Sequence, residues 1–372
     1  MTWIATLTLA IWLGMILLRD GFWLARARDT PLPDLAAWPR VTAVVPARDE
    51  AEGIAQAIAS LAAQDYPGDF RVVLVDDSSS DGTADLARVA GGERLTILQG
   101  APLAAGWTGK LWAVSQGIAA AGRPEYLLLT DADIAHAPDS VRRLVARAVG
   151  DRRVLVSLMA RLRCKSFAER ALVPAFVFFF QLLYPFAEVN RRDRGRGAAA
   201  GGVMLVERDA LERAGGIGAV RGALIDDCAF GALLKTQGPI WLGLTDRATS
   251  IRDYDTTESV AAMISRSAYA QLGYSPWLLA GTIVGLALTY LAPPLLALFG
   301  RGYAQAMGLT AWILMAIAFQ PMLRFYRRSP LWGAALPAIA GFYAGCTMLS
   351  AWQHARGRGG MWKGRAQAGV KA

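Results

Sequence analysis

The sequence contains few cysteines and few histidines. Cys164, Cys228 and Cys346 are the three cysteines of 372 residues, and their wide separation argues against a disulfide framework and a zinc site. We interpret them as reduced thiols that pack as small hydrophobic side chains. His136 and His354 are the two histidines. This number excludes a site of three histidines, and any Ser-His or Cys-His catalytic arrangement would depend on one of these two.

A long run of basic residues is also lacking, although the net charge is +9. The basic residues form small clusters, and aromatic residues are not interleaved with them in a soluble basic patch. This pattern argues against a nucleic-acid partner and suits contact with anionic lipid headgroups or anionic small molecules. A hydrophobic content of 54% favours one domain plus membrane segments over two ordinary soluble domains.

The N-terminal segment 1–28 is predicted to be a membrane anchor. Residues 3–18 are apolar and uncharged, and several arginines follow them within 19–28. Because no basic residue precedes the stretch and no small-residue cleavage site ends it, we do not interpret it as a removable signal peptide. The stretch is slightly short for a span, and residues 22–24 could extend it. The arginines predict that its C-terminal side faces the cytoplasm.

The C-terminal segment 273–352 is predicted to contain three transmembrane helices. The apolar stretches, each long enough to cross a bilayer, lie at residues 276–299, 303–323 and 331–352. Pro293 and Pro294 are expected to kink the first one. A basic tail follows at 353–372. The number of crossings places this tail outside the cell, whereas its charge favours the cytoplasm, so its sidedness stays open.

A further apolar segment, ALVPAFVFFFQLLYPFA at 171–187, is interrupted by Pro174, Gln181 and Pro185. It has two interpretations. It can be a buried helix of the soluble core, or it can lie at the membrane face of the folded domain, where aromatic residues are common. We favour the membrane face.

From about residue 40, short apolar runs alternate with helical patterns. The strand-like runs are VTAVVP (41–46), RVVLV (71–75), LTIL (95–98) and YLLLT (126–130). This alternation predicts βαβ units and an α/β fold with a mostly parallel sheet. In such sheets ligands bind beyond the carboxyl ends of the strands. Three of these ends carry acidic pairs, which are Asp49 with Glu50, Asp76 with Asp77, and Asp131 with Asp133.

Asp131 and Asp133 are the most informative of these pairs. Two carboxylates this close repel each other and raise each other's pKa unless a cation is present. A divalent cation, Mg²⁺ or Mn²⁺, would relieve the repulsion and leave positions for phosphate oxygens and water. A second Asp-x-Asp, Asp253 with Asp255, follows no comparable strand, and we interpret it as a chance match. The first pair therefore predicts a metal ion that carries a diphosphate.

The segment VDDSSSDGTA has two compatible interpretations. Asp76 and Asp77 could accept hydrogen bonds from a base or from a ribose hydroxyl, and the segment could also be a polar turn in which Asp81 caps the next helix. Further along, GWTGKLWA places Lys110 after two glycines, where its ammonium could meet a phosphate group.

Asp226 and Asp227, in ALIDDCAFGALLKTQG, stand at the start of a helical pattern that ends at Gly238. They could serve as helix caps. A general base for an acceptor hydroxyl would have a similar sequence pattern. The residues alone leave both interpretations open.

In this order and at these intervals, VVPARDE, LAAQDYPG, VDDSSSDGTA, DAD and IDD resemble the motifs of family 2 glycosyltransferases with the GT-A fold. Other segments resemble the hopene-associated glycosyltransferases found with bacterial hopanoid genes, namely PLAAGWTGKLWA, VSLMARLRCKSFAER, VPAFVFFFQLLYPF, AAAGGVMLV and LIDDCAFG. The resemblance extends from about residue 40 to beyond residue 290. It implies a GT-A nucleotide-sugar-binding domain at 38–272.

The resemblance implies inverting transfer of a sugar from a nucleotide-diphosphate donor, expected to be a UDP-sugar, to an acceptor hydroxyl. It implies that Asp131 and Asp133 hold the metal ion and that Asp227 is the catalytic base. Asp226 beside it is also assigned to the catalytic site and occupies a position that is often Glu in the family. The expected donor-binding residues are Pro46, Arg48, Glu50, Asp76, Asp77, Lys110, Asp131 and Arg266.

The sequence departs from the family's polymer-making members. Those relatives carry a Gln-x-x-Arg-Trp motif after the base, whereas Arg266, Gln271 and Trp277 stand here at other spacings. The departure favours a single transfer over processive synthesis.

The leading hypothesis is therefore a multi-pass glycosyltransferase of the bacterial plasma membrane, with its catalytic domain in the cytoplasm. Its expected partners are a nucleotide-sugar donor, membrane lipids and a lipid acceptor related to hopanoids. The alternatives are a processive polysaccharide synthase and a non-catalytic membrane scaffold whose acids cap helices and turns. No motif encodes the sugar, the particular acceptor or the oligomeric state.

Overall fold

A computed structural model describes residues 1–193 and 195–357, and the backbone alone of 361–362 and 365–366. Its main sheet consists of β1 (Val41–Ala47), β2 (Phe70–Asp76), β3 (Leu95–Gln99), β4 (Tyr126–Thr130), β5 (Ile134–His136), β6 (Leu155–Arg161), β7 (Val203–Glu207) and β8 (Ile240–Ser250). Two short segments, Met361–Trp362 and Arg365–Ala366, form a separate antiparallel pair. Most of the basic tail predicted at 353–372, including Arg358, Lys363 and Lys371, lies outside the described residues.

The helices in chain order are α1 (Thr2–Leu18), α2 (Ile54–Ala62), α3 (Thr83–Gly91), α4 (Gly109–Ala120), α5 (Ser140–Gly150), α6 (Phe167–Leu183), α7 (Phe186–Asn190), α8 (Arg208–Arg213), α9 (Asp226–Lys235), α10 (Thr257–Ser265), α11 (Pro276–Leu286), α12 (Ala292–Phe299), α13 (Tyr303–Phe325) and α14 (Leu336–Ala355). The chain divides into two compact units. One unit, the sheet unit, contains Ala27–Arg163 and Glu188–Arg252, and the other, the helical unit, contains Met1–Arg26, Cys164–Ala187 and the described residues of Asp253–Gly359.

The sheet of the first unit is mixed, with the strand order β3-β2-β1-β4-β7-β6-β8-β5. Strands β1 to β4 are mutually parallel, as are β6 and β8. Strand β7 runs antiparallel to both of its neighbours, and β5 runs antiparallel to β8. The predicted strands β1 to β4 are confirmed to within one residue at each end, and so is an α/β fold with a largely parallel sheet.

The centre of the sheet is covered on both faces, as expected for parallel strands between helices. All seven residues of β1 are buried. Helix α4 packs so closely over this strand that a Cβ atom on Gly117 would lie 2.4 Å from Cγ1 of Val44. Only glycine permits this approach. The N-terminus of α4 is thereby placed over the carboxyl end of the sheet.

Two antiparallel strand pairings bring segments that are far apart in the sequence to the carboxyl edge of the sheet. Because β7 is antiparallel to β4, its first residue, Val203, pairs with the last residue of β4, Thr130. The glycines before β7 therefore lie beside the residues that follow β4. In the same way β5 pairs with β8 so that Ile134 lies opposite Ser250.

In the helical unit, α1 supplies hydrogen bonds to a break between α11 and α12. The five residues Ala287–Leu291 form a π-helical turn, in which each N–H reaches the carbonyl five residues earlier. Pro293 and Pro294 have no N–H, so the carbonyls of Leu288 and Thr289 lack a helical donor. The hydroxyl of Thr8 donates to the Leu288 carbonyl, and the indole N–H of Trp12 donates to the Thr289 carbonyl at 2.8 Å.

Two helices of the described part of the chain are long and apolar enough to cross a membrane. They are Pro276–Phe299, with a mean hydropathy of 1.9, and Tyr303–Phe325, with 1.6. These are the first and second of the three C-terminal spans predicted. The third, predicted at 331–352, is divided between a 3₁₀ turn at Pro330–Gly333 and α14, and it does not meet the same criteria.

The N-terminal helix α1 has 17 residues and is apolar but shorter than those two spans. The expected extension through residues 22–24 is wrong. The helix ends at Leu18, Asp20 and Gly21 adopt left-handed conformations, and Phe22–Leu24 forms a separate 3₁₀ turn. A left-handed pair of residues cannot continue a right-handed helix.

The apolar segment 171–187 is mostly buried within the helical unit. Val173, Val177 and Phe178 of α6 are inaccessible to solvent, and the ring of Phe178 packs against that of Phe319, with 5.2 Å between ring centroids. The segment is therefore buried among other helices of the helical unit and is not part of the sheet unit. The location of the segment at a membrane interface stays a prediction.

Candidate active site

The carboxyl edge of the central strands carries a small cavity, of about 20 Å³, lined by apolar side chains and a few charged ones. Each charged residue comes from the start of a helix or the end of a strand: Lys110 from the first turn of α4, Asp131 from the end of β4 and Asp226 from the start of α9. The cavity is lined by Pro46, Lys110, Leu111, Val114, Leu129, Thr130, Asp131, Gly201, Met204, Ile217, Asp226 and Phe230.

Lys110 links the two predicted acidic pairs. Its Nζ lies 2.9 Å from Oδ1 of Asp131 and 3.3 Å from Oδ2 of Asp226. Burial disfavours the charged ammonium, but the attraction of these two carboxylates outweighs it, so the pKa of Lys110 is raised. Lys110 is therefore a fixed positive charge at the centre of the site.

Asp131 has an environment that favours its neutral form. Burial raises its pKa, and Lys110 opposes this shift. The carboxylates of Asp133 and Asp226 raise the pKa further. These are the directions expected for an acid among other acids that is only partly neutralised by one cation.

Asp227 is held by two backbone N–H groups. Gly201 donates to its Oδ2 at 3.0 Å, and Cys228 donates to its Oδ1 at 2.7 Å. Burial, and then the charge of Asp226, raise the pKa of Asp227 to about 6, while Lys110 and the two N–H groups oppose the shift. A carboxylate with a pKa near neutrality can take up a proton during a reaction. Asp226 and Asp227 also begin α9, so the predicted helix start and a base are compatible.

Asp133 has a different partner, Arg252. The guanidinium Nε lies 2.8 Å from Oδ2 of Asp133, and its Nη2 lies 2.7 Å from Oε1 of Glu50. Arg252 thus joins the residues that follow β4 to those that follow β1.

Lys110 and Arg252 correct one step of the sequence argument. Each of the two aspartates in Asp131-x-Asp133 has a protein cation beside it, so their mutual repulsion does not by itself require a metal ion. Each bonds its cation through one oxygen, Oδ1 of Asp131 and Oδ2 of Asp133, and carboxylate oxygens are ligands that Mg²⁺ and Mn²⁺ prefer. The residues therefore fit a divalent cation. No cluster of three or more His, Cys, Asp or Glu suited to a metal occurs among the described residues.

The predicted nucleoside-binding acids are buried and bonded to the protein. Asp76 and Asp77 are 4% and 1% exposed. Oδ1 of Asp76 accepts a hydrogen bond from the N–H of Ser79 at 3.1 Å, and Oδ2 of Asp77 lies 3.8 Å from Nη1 of Arg48. Their contact with a donor stays a prediction, as do the donor contacts of Pro46 and Arg48.

Contrary to the prediction, Asp81 is not the N-cap residue of α3; that position is Gly82, and α3 has no side-chain cap hydrogen bond. Oδ1 of Asp81 accepts from the N–H of Thr83 at 3.1 Å, and its Oδ2 accepts from the N–H of Ala51 at 2.9 Å. The turn after β2 is thereby tied to the segment after β1. Arg266, by contrast, is an exposed residue at the end of α10 in the helical unit, and its role in donor binding stays a prediction.

Three features of the site were not predicted from the sequence. They are Arg252, Gly201 and the hydrogen bonds that hold the carbonyl of Gly202. The hydroxyl of Thr130 donates to the Gly202 carbonyl at 2.7 Å. Because that hydroxyl has one proton, His136 must be the donor in the 3.0 Å contact between its Nε2 and Thr130 Oγ1. Burial lowers the pKa of His136 to about 4, which keeps it neutral. The glycine pair in AAAGGVMLV could have indicated the positions of Gly201 and Gly202 at the site. No sequence pattern indicated Arg252.

A second cavity, of about 620 Å³, lies at the opposite edge of the sheet, where β1 and β4 begin. Its arginines are paired with carboxylates: Arg40 with Glu125 at 3.1 Å, and Arg123 with Glu212 at 3.4 Å. Neighbouring arginines lower the pKa values of Glu125 and Glu212, whereas burial raises those of Asp131 and Asp227 at the carboxyl edge. We therefore place the candidate active site at the carboxyl edge.

Residues 42–215 match the family described as Glycosyl transferase family 2. The matched segment contains Lys110, Asp131, Asp133 and Gly201, and it ends before α9. Comparison with curated proteins gave no match.

The structure is similar to a mannosyltransferase from Pyrobaculum calidifontis in complex with GDP-Man and Mn2+. The TM-score is 0.57 and the identity 21%, over 95% of this chain and 99% of that one. A weaker similarity, with a TM-score of 0.41 and 20% identity, covers 63% of this chain and 79% of glucosyl-3-phosphoglycerate synthase from Mycobacterium tuberculosis in complex with phosphoglyceric acid. The first similarity shows a shared GT-A-like fold.

Proposed function

We propose that this chain, whose residues 42–215 match the family described as Glycosyl transferase family 2, is a membrane-bound inverting glycosyltransferase. It transfers a sugar from a nucleotide-diphosphate donor to a hydroxyl group of a lipid acceptor. The observation that carries the proposal is the convergence of Lys110, Asp131 and Asp226 around one cavity, with Nζ of Lys110 2.9 and 3.3 Å from the two carboxylates.

Asp227 is the proposed general base. In a single displacement the acceptor oxygen attacks the anomeric carbon, its proton passes to an oxygen of Asp227, and the bond to the diphosphate breaks. The raised pKa of Asp227, about 6, suits a group that must be ionised before the step and protonated after it. One carboxylate is enough, because no covalent sugar–enzyme intermediate is formed.

Lys110 is the proposed electrostatic support for the leaving group. Negative charge develops on the diphosphate as the bond breaks, and a fixed ammonium stabilises that charge more strongly in the transition state than in the ground state. Asp131 and Asp133 would hold a divalent cation together with phosphate oxygens of the donor. When bound, the cation supplies further stabilisation of the departing diphosphate. The similar mannosyltransferase was solved with Mn2+, which supports this choice.

The membrane association and the lipid acceptor form one part of the proposal. In the most apolar windows of the two helices Pro276–Phe299 and Tyr303–Phe325, 22% and 39% of the residues are buried, so the remaining residues leave apolar surface for contact with lipid. A transferase held at a bilayer would meet acceptors that are themselves in the bilayer. The resemblance of several segments to hopene-associated glycosyltransferases supports a hopanoid-related acceptor. We place the protein in the bacterial plasma membrane with its sheet unit in the cytoplasm.

The test is mass spectrometry of lipids from cells that express the parent protein, Asp131→Ala or no protein. We expect a glycolipid in the parent alone, and its mass would identify both the sugar and the acceptor. In parallel, calorimetry with UDP and with GDP should show Mn²⁺-dependent binding to the parent and its loss in Asp131→Ala. A scaffold whose acids only cap helices would bind nucleotide equally with and without Asp131, and a processive synthase would yield a polymer instead of a single glycolipid.

A further inference from the structure

We propose that Arg252 is a positioning residue of this site: its guanidinium holds Asp133 and Glu50 in the orientation that binds the donor diphosphate with its divalent cation. The inference rests on the proposed function. It concerns a residue outside the matched family segment 42–215 and outside every motif of the sequence.

The topology of the sheet places Arg252 at the site. Strand β8 ends at Ser250, which pairs with Ile134, the residue that follows Asp133. The N–H of Ile251 donates to the backbone carbonyl of Asp133 at 2.9 Å. Arg252 is the next residue, so its side chain emerges beside the Asp133 side chain. The segment after β8 and the segment after β4 are therefore in a fixed register.

The guanidinium of Arg252 bonds two different carboxylates through two different nitrogen atoms. Nε lies 2.8 Å from Asp133 Oδ2, and Nη2 lies 2.7 Å from Glu50 Oε1. The side chains of Glu50 and Asp133 are 12% and 16% exposed, and that of Arg252 is 34% exposed. A planar fork with several donors fixes the relative positions of two carboxylates, which a lysine with its single ammonium does not do in the same way.

The consequence for ligand binding follows from the planarity of a carboxylate. Once Oδ2 of Asp133 is bonded to Arg252, the torsion angle of the side chain is set, and so is the direction of Oδ1. The hydroxyl of Ser250 donates a hydrogen bond to the same oxygen, with 3.4 Å between its Oγ and Oδ2 of Asp133. Partners that orient a metal-binding carboxylate in this manner contribute to affinity although they do not touch the metal.

Without Arg252, Glu50 and Asp133 would be two largely buried acids that have lost the cation they share, and the charge of Asp133 already acts on Asp131. Their repulsion would turn the Asp133 side chain away from the position that it now occupies. The structure thus assigns two effects to one residue: it balances the charge of the acids, and it fixes their geometry.

Arg247, which lies within β8 shortly before Arg252, provides a matched control. It makes a two-point ion pair with Asp139, with 2.9 Å between Nε and Oδ1 and a second bond from Nη2 to Oδ2. The acid with which it pairs, Asp139, precedes α5 and is neither of the two acids that Arg252 bonds. Arg247→Gln therefore removes a comparable ion pair from β8 without touching Asp133 or Glu50.

The experiment uses the full chain in detergent micelles, as the parent, Arg252→Gln, Arg252→Lys and Arg247→Gln. Calorimetric titrations with UDP and with GDP, each with and without Mn²⁺, measure binding, and electron paramagnetic resonance of free Mn²⁺ measures the metal directly. We expect Arg252→Gln to weaken Mn²⁺-dependent nucleotide binding by about 10- to 100-fold. Arg252→Lys should recover part of the loss, and Arg247→Gln should bind like the parent.

Kinetics with a transferred sugar should separate positioning from chemistry. Arg252→Gln should raise the KM for the donor while keeping most of kcat at saturating donor and Mn²⁺, since the residue acts on binding of the donor. Equal Mn²⁺ affinity in Arg252→Gln and the parent would overturn the inference, and so would tighter affinity, which would mean that Arg252 only repels the metal. An equal loss in Arg247→Gln would also overturn it. A parent that binds neither nucleotide would overturn the proposed function, and this inference with it.

Discussion

Asp227 illustrates how the surroundings of one residue determine the chemistry that it can do. Its carboxylate is partly buried beside a second acid and is held by two backbone N–H groups. Burial and the charge of Asp226 raise its pKa to about 6. Because the pKa in the folded protein is raised, the neutral acid is favoured over a wider range than in the unfolded chain. Ionisation of Asp227 therefore weakens the folded state as the pH rises from about 4 to 6.

The same shift predicts the pH dependence of the reaction. A general base must be ionised, so kcat/KM should be low below pH 6 and should rise through a single ionisation near this value to a plateau. We expect Asp227→Asn to lower the rate by about 10² to 10⁴ and to remove this ionisation from the profile, while nucleotide binding is kept. The measurements are transfer of a labelled sugar across pH 5 to 8 and calorimetry.

The control for this substitution is Asp209→Asn. Asp209 is also in the first turn of a helix, α8, but it is exposed and lies at the opposite edge of the sheet. Its replacement should leave the rate and the profile unchanged. If Asp227→Asn transferred sugar at the parent rate, the base would have to be another group.

At the residue scale, the positions of the acids at the carboxyl edge could be read from the sequence, whereas their pairing with Lys110 and Arg252 could not. Asp131, Asp133, Asp226 and Asp227 stand at ends of apolar strands or starts of helices, and such positions can be read from a local pattern. Lys110 was predicted to meet phosphate, and the structure adds that it bonds two of these acids. Arg252 was not predicted, because the contact with Asp133 spans 119 residues of sequence and depends on the β5–β8 register.

Trp12 connects two elements, α1 and the turn between α11 and α12. Its side chain is fully buried, and its N–H is the donor to the Thr289 carbonyl at 2.8 Å. Trp12→Phe keeps an aromatic ring but leaves this carbonyl without its donor, which costs about 1–3 kcal/mol. We expect a lower midpoint of thermal unfolding in detergent micelles.

Trp3→Phe is the matched control. Trp3 lies on the same helix but is 88% exposed, so its substitution should leave the midpoint close to that of the parent. Equal midpoints for Trp12→Phe and Trp3→Phe would show that the indole bond does not stabilise the unit.

Among the elements, strands β1 to β4 and the helices between them were predictable, because the spacing of apolar residues in the sequence agrees with the residues that are buried in each of them. The π-helical turn at Ala287–Leu291 was not. The sequence predicted a kink at Pro293 and Pro294, but the displaced hydrogen bonds lie in the preceding turn, and their replacement depends on side chains of α1. A local pattern contains no information about such a partner.

For the whole molecule, the exposed apolar surface of the helical unit predicts tight membrane association. Trp277, Leu298 and Phe299 are 86%, 63% and 74% exposed, and they lie on the longest apolar segment, Pro276–Phe299. We expect the protein to stay with the membrane fraction after washes with concentrated salt and with alkaline carbonate, and to be released by detergent. Release by salt alone would indicate a peripheral protein held by charge.

The organisation of the chain was only partly predictable at this scale. The sequence was divided into consecutive segments, whereas the helical unit combines residues from three separated parts of the chain, Met1–Arg26, Cys164–Ala187 and Asp253–Gly359. The segment 171–187 illustrates the reason. Its composition suits a membrane surface and a protein interior equally, and only the packing partners of Phe178, which include Phe22 and Phe319, distinguish the helical unit as its location.

The bonds from Thr8 and Trp12 have a practical meaning for anyone who re-engineers the N-terminus. If α1 were a simple hydrocarbon tether, any leader of equal length would replace it. A polyleucine leader would match its hydrophobicity, but it has no hydroxyl or indole to offer the carbonyls of Leu288 and Thr289. Such a chimaera would keep the apolar character of α1, yet its proline-broken helix would lack these two hydrogen-bond donors. The first helix is thus a specific component of the fold and cannot be exchanged freely.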